Sequence, residues 1–113
     1  MDIRQLGRSG LKISPLCLGT MMFGGATDEP TSARIVAKAR DAGVNFIDTA
    51  DAYSNGASEE VVGRAIRADR QHWILGTKLA NPMGKNPNHG GLSRAWVLQA
   101  AEDSLKRLGT DHI

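Results

Sequence analysis

Asp48, Tyr53 and Lys78 are the residues whose types and positions could do chemistry. Asp48 closes the short apolar run Val44-Asn45-Phe46-Ile47, Tyr53 follows in the loop behind it, and Lys78 closes the run Trp73-Ile74-Leu75-Gly76-Thr77. A phenol with an ordinary pKa of about 10 donates protons poorly at neutral pH, but a neighbouring ammonium favours the phenolate and makes it a better acid. Lys78 would do this for Tyr53. An ammonium taken out of water tends to lose its proton unless an anion stands beside it, and Asp48 would hold it charged. A tyrosine tuned in this way can protonate a carbonyl oxygen as hydride reaches the carbon, and take the proton back from an alcohol in the reverse direction. Each residue also has a plainer reading: an Asp before Thr49-Ala50 can be a turn or cap, and a lysine behind a strand is commonly solvated. Tyr53, the single tyrosine, lies between Ala52 and Ser54-Asn55-Gly56, outside any apolar stripe.

The elements that would position these side chains alternate between strand and helix. Leu6 to Ile13 reads as a small hairpin around Ser9-Gly10. A first strand over Leu16 to Leu18 runs into Gly19-Thr20-Met21-Met22-Phe23-Gly24-Gly25, a loop whose glycines let backbone approach a ligand or another strand. Asp28-Glu29-Pro30 offers a helix start, with Ile35, Val36, Ala39 and Ala42 as its apolar face and Gly43 as its stop. Val44 to Ile47 is the second strand. Glu59-Glu60 open a helix carrying Val61, Val62, Ala65 and Ile66, and Trp73 to Thr77 is the third strand. A third helix starts near Ser93 with Val97, Leu98, Ala101, Leu105 and Leu108 and stops at Gly109. Strand starts near residues 16, 44 and 74, with a fourth expected near His112, recur at roughly 30 residues, the repeat of a βαβ unit or of one eighth of a ~250-residue barrel. Such alternation argues for a parallel sheet. Periodicity alone does not separate an open doubly wound sheet from a closed (β/α)₈ barrel.

In parallel α/β architectures the site forms where strands end and βα loops begin. Neighbouring parallel strands lie about 4.8 Å apart, so side chains from two adjacent ends can converge. The loop from Leu79 to Gly91 exceeds the usual length of about 2 to 6 residues and is expected to shape a binding face. Its His89 is expected to face solvent. His72 and His112 precede strands and fall at the opposite rim.

Length and composition set the outer bounds. The chain has 113 residues, 41% apolar and 23% charged, which allows one domain over residues 1–113 and excludes a second substrate domain. Fourteen basic and twelve acidic side chains leave a net charge of +2 without a charge run, which argues against nucleic acid as a partner. The basic pair Lys106-Arg107 reads as a solvated helix end, where cations suit the dipole. One cysteine, Cys17, has no partner for an intrachain disulfide, consistent with a reducing compartment. No stretch approaches the roughly 18 apolar residues of a membrane helix, and no secretory leader opens the chain. A cytoplasmic location is the expectation, and no metal ligand set is read. Gly109-Thr110-Asp111-His112-Ile113 reads as a turn and the first residues of a strand, so a fragment of a larger protein is expected.

Phe46-Ile47-Asp48-Thr49-Ala50-Asp51-Ala52-Tyr53-Ser54-Asn55-Gly56-Ala57-Ser58-Glu59-Glu60-Val61-Val62-Gly63 resembles the signature of the aldo-keto reductases. Leu6 to Ser14 is similar to that family's N-terminal hairpin, Leu18-Gly19-Thr20-Met21 to its first strand and loop, and Thr77-Lys78 to its third strand end. Gly91-Leu92-Ser93-Arg94 and Ser104 to Asp111 continue the resemblance, which spans essentially the whole chain. It implies the N-terminal part of a (β/α)₈ TIM barrel, a hairpin plus about three βα units, truncated at the start of strand four. It also implies reduction of aldehydes or ketones by hydride transfer from NADPH, with a small-molecule carbonyl substrate. By resemblance, Tyr53 is the general acid, Lys78 the group lowering its pKa and Asp48 the partner of Lys78. A strand-four histidine would lie beyond Ile113, and His112 does not stand for it. Gly19, Thr20, Met21 and Asp48 match the family's contacts near the nicotinamide and ribose. The chain alone is expected to be inactive without the remainder of the barrel. The alternative function is that of a cofactor-binding regulatory or structural partner with the same fold, as in potassium-channel β subunits.

Overall fold

The computed structural model describes all 113 residues. An antiparallel hairpin, β1 (Arg4–Gln5) and β2 (Lys12–Ile13), precedes three parallel strands: β3 (Leu18–Gly19), β4 (Phe46–Asp48) and β5 (Ile74–Gly76). They lie in the order β3-β4-β5 and are joined by the helices α1 (Glu29–Asp41) and α2 (Ala57–Ile66), while α3 (Arg94–Leu108) follows β5. The strands are shorter than the apolar runs. Leu16 is exposed and outside β3 because the Ser14 hydroxyl donates to its carbonyl at 2.6 Å and turns the chain there. Asn45 sews the hairpin to the sheet. Its amide oxygen accepts from Ser14 N at 2.7 Å and its Nδ2 donates to Lys12 O at 3.0 Å.

Side chains alternate across a strand, and here the alternation divides core from site. Ile47 and Leu75, paired in register, point into a cluster with Val36, Val61, Val62, Ile66, Trp73 and Leu108. Phe46, Asp48, Ile74 and Gly76 belong to the opposite face and are only half-buried.

Capping chemistry sets the helix limits. Asp28 caps α1, its carboxylate accepting from Thr31 N at 2.9 Å, with Pro30 in the first turn where a missing N–H costs nothing. Of the expected apolar face of α1, Val36 is fully buried and Ala39 packs against the core, while Ile35 and Ala42 are exposed beside a shallow groove. Ser93 caps α3 through Trp96 N, and Gly109 ends it at φ +63°. The buried stripe of α3 is Trp96, Ala100, Ser104 and Leu108, not the expected row through Val97 and Leu98, both of which are exposed. This row faces α2, where Ser104 reaches Glu59 and a Cβ on Gly63 would stand 2.3 Å from the Leu108 carbonyl oxygen.

No fourth strand forms at His112. Residues Thr110 to Ile113 make no ladder; instead the Arg70 guanidinium holds them, donating to Thr110 Oγ1 at 2.8 Å and His112 O at 2.7 Å. No helix is long and apolar enough to cross a membrane.

Candidate active site

Register brings the strand ends together. Asp48 pairs with Gly19 on one side and Gly76 on the other. Hydrogen bonds continue the sheet past the strands: Thr20 N donates to Asp48 O, Thr49 N to Gly76 O, and Asp51 N to Lys78 O at 3.1 Å. This last bond places Lys78 beside the loop that follows Asp48. Its Nζ donates to both Asp48 carboxylate oxygens, at 2.7 and 2.8 Å, and to Thr49 O at 2.8 Å. The ammonium thus has three acceptors for three protons. It also lies 4.8 Å from the centroid of the Tyr53 ring, within cation–π reach.

The three residues therefore meet, with Asp48 and Tyr53 half-buried and Lys78 exposed. Burial works against the Lys78 charge, but the Asp48 carboxylate and the Tyr53 phenol more than offset it and hold the amine above its ordinary pKa. Gly19, Thr20, Met21, Asp48 and Tyr53 share one cleft of about 420 Å³ with Met22, Phe23 and Thr27. Gly19 faces open space, with nothing within 4 Å of where a Cβ would stand. Met21 is exposed. The Thr20 hydroxyl is engaged inside the fold, 3.0 Å from Asp48 O and 3.1 Å from Ser58 Oγ. Cys17 is exposed near this face, and its thiol is pushed up first by burial and then by the Asp48 charge, with Lys78 pulling the other way.

The loop carrying Tyr53 has an unusual backbone. Ser54, Asn55 and Gly56 follow it at φ +49°, +52° and +95°, a region costly for residues other than glycine. The glycine loop behind β3 packs on this turn: a Cβ on Gly25 would meet Ser54 Oγ at 2.7 Å, and one on Gly24 would meet the Ala57 Cβ at 2.9 Å.

Beneath the turn lies a buried polar layer that sequence reasoning missed. Glu59, expected only as a helix-opening acid, is fully buried, and Asp51 nearly so. Arg107 is not the solvated helix end expected of it, because its Nη2 pairs with Glu59 Oε1 at 3.3 Å, with Ser104 Oγ donating to the same oxygen at 3.2 Å. Lys106 alone of that basic pair is exposed. Burial pushes the Glu59 carboxyl up against the pull of Ser104 and Arg107, and pushes Asp51 up against the charge of Arg107. A polar residue at Ser104 within an otherwise apolar row was the available signal of a polar partner inside.

Of the histidines, His89 is exposed and stacks on Trp96 with ring centroids 5.0 Å apart. His72 Nε2 lies 2.9 Å from Val44 O, and His112 pairs with Asp111. None joins the trio.

A family model described as "Aldo/keto reductase family" matches residues 15–113. "Uncharacterized oxidoreductase YrpG" of Bacillus subtilis (strain 168) is 42% identical over 125 residues, covering 100% of this chain and 38% of that protein. A "Probable voltage-gated potassium channel subunit beta" of Oryza sativa subsp. japonica is 40% identical over 117 residues, covering 100% of this chain and 35% of that protein. Among solved structures, the holo form of aldo-keto reductase AKR11C1 from Bacillus halodurans is 41% identical and superposes with a TM-score of 0.86, over 100% of this chain and 38% of that one. The chain thus spans well under half the length of each. Its hairpin and βα units are the N-terminal part of a (β/α)₈ barrel.

Proposed function

The chain belongs to the aldo/keto reductase family, and on that premise we propose that the protein reduces aldehydes or ketones to alcohols, with NADPH as the hydride source and Tyr53 as the proton donor. The observation that carries this reading is the bidentate contact of Lys78 with Asp48 beside the Tyr53 ring. The paired carboxylate keeps the ammonium charged beside the Tyr53 ring, 4.8 Å from its centroid. Tyr53 gives its proton to the carbonyl oxygen, Lys78 stabilises the phenolate left behind, and Asp48 orients Lys78.

The residues fit a nicotinamide cofactor in one respect that geometry tests. The floor of the cleft at Gly19 is bare backbone with open space above it, so a flat ring can approach where a side chain would block it. Gly19, Met21 and Asp48 would hold the nicotinamide and its ribose, and Thr20 would shape the floor through its backbone. Bound there, NADPH supplies the hydride.

The test is NADPH oxidation by the protein at its natural length with a panel of aromatic aldehydes. Turnover that falls by about 10² to 10⁴ in Tyr53→Phe is expected; turnover that survives this change overturns the role of Tyr53. A second reading, a cofactor-binding partner with little turnover, is favoured by the 40% identity to the rice channel subunit. Binding of NADPH without oxidation against the whole panel would support it.

A further inference from the structure

Arg107 sits on the last turn of α3, yet its side chain reaches the loop that presents Tyr53. Its stem lies under Gly56, where a Cβ would stand 3.0 Å from Arg107 Cδ. Gly56 is the last of the three left-handed residues behind Tyr53. On the other flank is Asp51, almost wholly buried, with Oδ2 lacking a partner and its carboxyl raised by burial against the charge of Arg107. The guanidinium is itself moored to Glu59 of α2, and Ser104 bridges the two. Strained backbone persists only where its surroundings over-determine it. Here the surroundings are Gly24 and Gly25 above and Arg107 below.

We propose that Arg107, moored by Glu59, is a positioning residue that holds the Tyr53–Gly56 turn so that the phenol stays beside Lys78. The proposal rests on the reductase reading for its significance, but its content is geometric. A helix-end cation with no further task would be solvated like Lys106; Arg107 instead fills the space that Gly56 leaves and carries the only charge paired with Glu59.

The experiment measures the nuclear Overhauser contact between the Tyr53 ring, assigned by the signals lost in Tyr53→Phe, and the Lys78 ε-methylene in the protein at its natural length, with the indole signals of Trp73 and Trp96 as a control of packing. Because Arg107→Met alone leaves Glu59 buried without a counter-charge, the principal variant is the double change Glu59→Leu with Arg107→Met, which removes both charges and should retain the fold. The expected result is loss of the Tyr53–Lys78 contact with the indole signals unmoved, and partial recovery in Arg107→Lys, which keeps the charge without the fork. A contact that persists in the double variant overturns the proposal. So does its absence from the unmodified chain, which would remove the basis of the reductase reading as well. An intact, Arg107-dependent contact in a protein found to have no reductase activity supports the positioning role and counts against the reductase reading alone.

Discussion

Two ion pairs flank the Tyr53 loop, Lys78 beside its ring and Arg107 under Gly56, and they are built oppositely. Lys78–Asp48 is short and bidentate, with side chains 47% and 43% exposed. Arg107–Glu59 is a single longer contact with side chains 21% and 0% exposed, and it leaves Glu59 Oε2 and Arg107 Nε without partners. The better-made pair is the one that stability needs less, since solvent screens exposed charges to a median of roughly 0 to 1 kcal/mol. The poorer one cannot be broken cheaply, because either partner left alone is a charge stranded out of water.

That contrast can be tested at both ends. Arg107→Ala is expected to destabilise the chain by about 3 to 5 kcal/mol in urea denaturation; a loss below about 1 kcal/mol would mean the inner pair behaves like the outer. The next effect is pH dependence. Burial raises Glu59 above its ordinary 4.5, so the folded chain binds that proton more tightly than the unfolded one. The resulting stabilisation is fully present below the ordinary value and is lost as pH rises through the native value. Thermal unfolding followed from pH 4.5 to neutrality should therefore show a decline that Glu59→Gln lessens, the remainder coming from Asp51, which burial also raises. The comparison with the variant is needed because Asp28 and Glu29, held low by Thr31 and Arg64, contribute with the opposite sign. An identical pH profile in the two proteins would contradict the burial argument. Lys78, also raised, contributes below its ordinary 10.5 and loses that contribution only in stronger alkali. The smallest effect is Lys78→Met, expected to change stability by less than about 1 kcal/mol; a larger loss in the same urea assay would make the outer pair a fold element too.

Much of this was legible in the residues. Asp28 and Ser93 capped the helices they seemed to cap, and Gly109 ended the one it seemed to end, because caps act through atoms only a few positions away. The meeting of Asp48, Tyr53 and Lys78 followed from strands that end side by side. Long-range contacts were another matter. Glu59 and Arg107 are 48 positions apart, and each stands where a helix normally carries a solvated charge, so only the polar Ser104 hinted at an inward partner and nothing named Glu59 as that partner. The buried row of α3 runs through Ser104 rather than Val97 and Leu98, facing Glu59 and Gly63 on α2, a neighbour far away in sequence. The run ending at Leu18 lost Leu16 to a hydroxyl bond from Ser14, a competition that apolar character cannot register.

Cys17 shows what the charge pattern of the outer pair does to a bystander. Desolvation and the Asp48 carboxylate both disfavour its thiolate, and it is the thiolate that attacks alkylating agents and peroxides. An exposed sulfur near this ion pair is thereby left less ready to react than a cysteine far from any carboxylate.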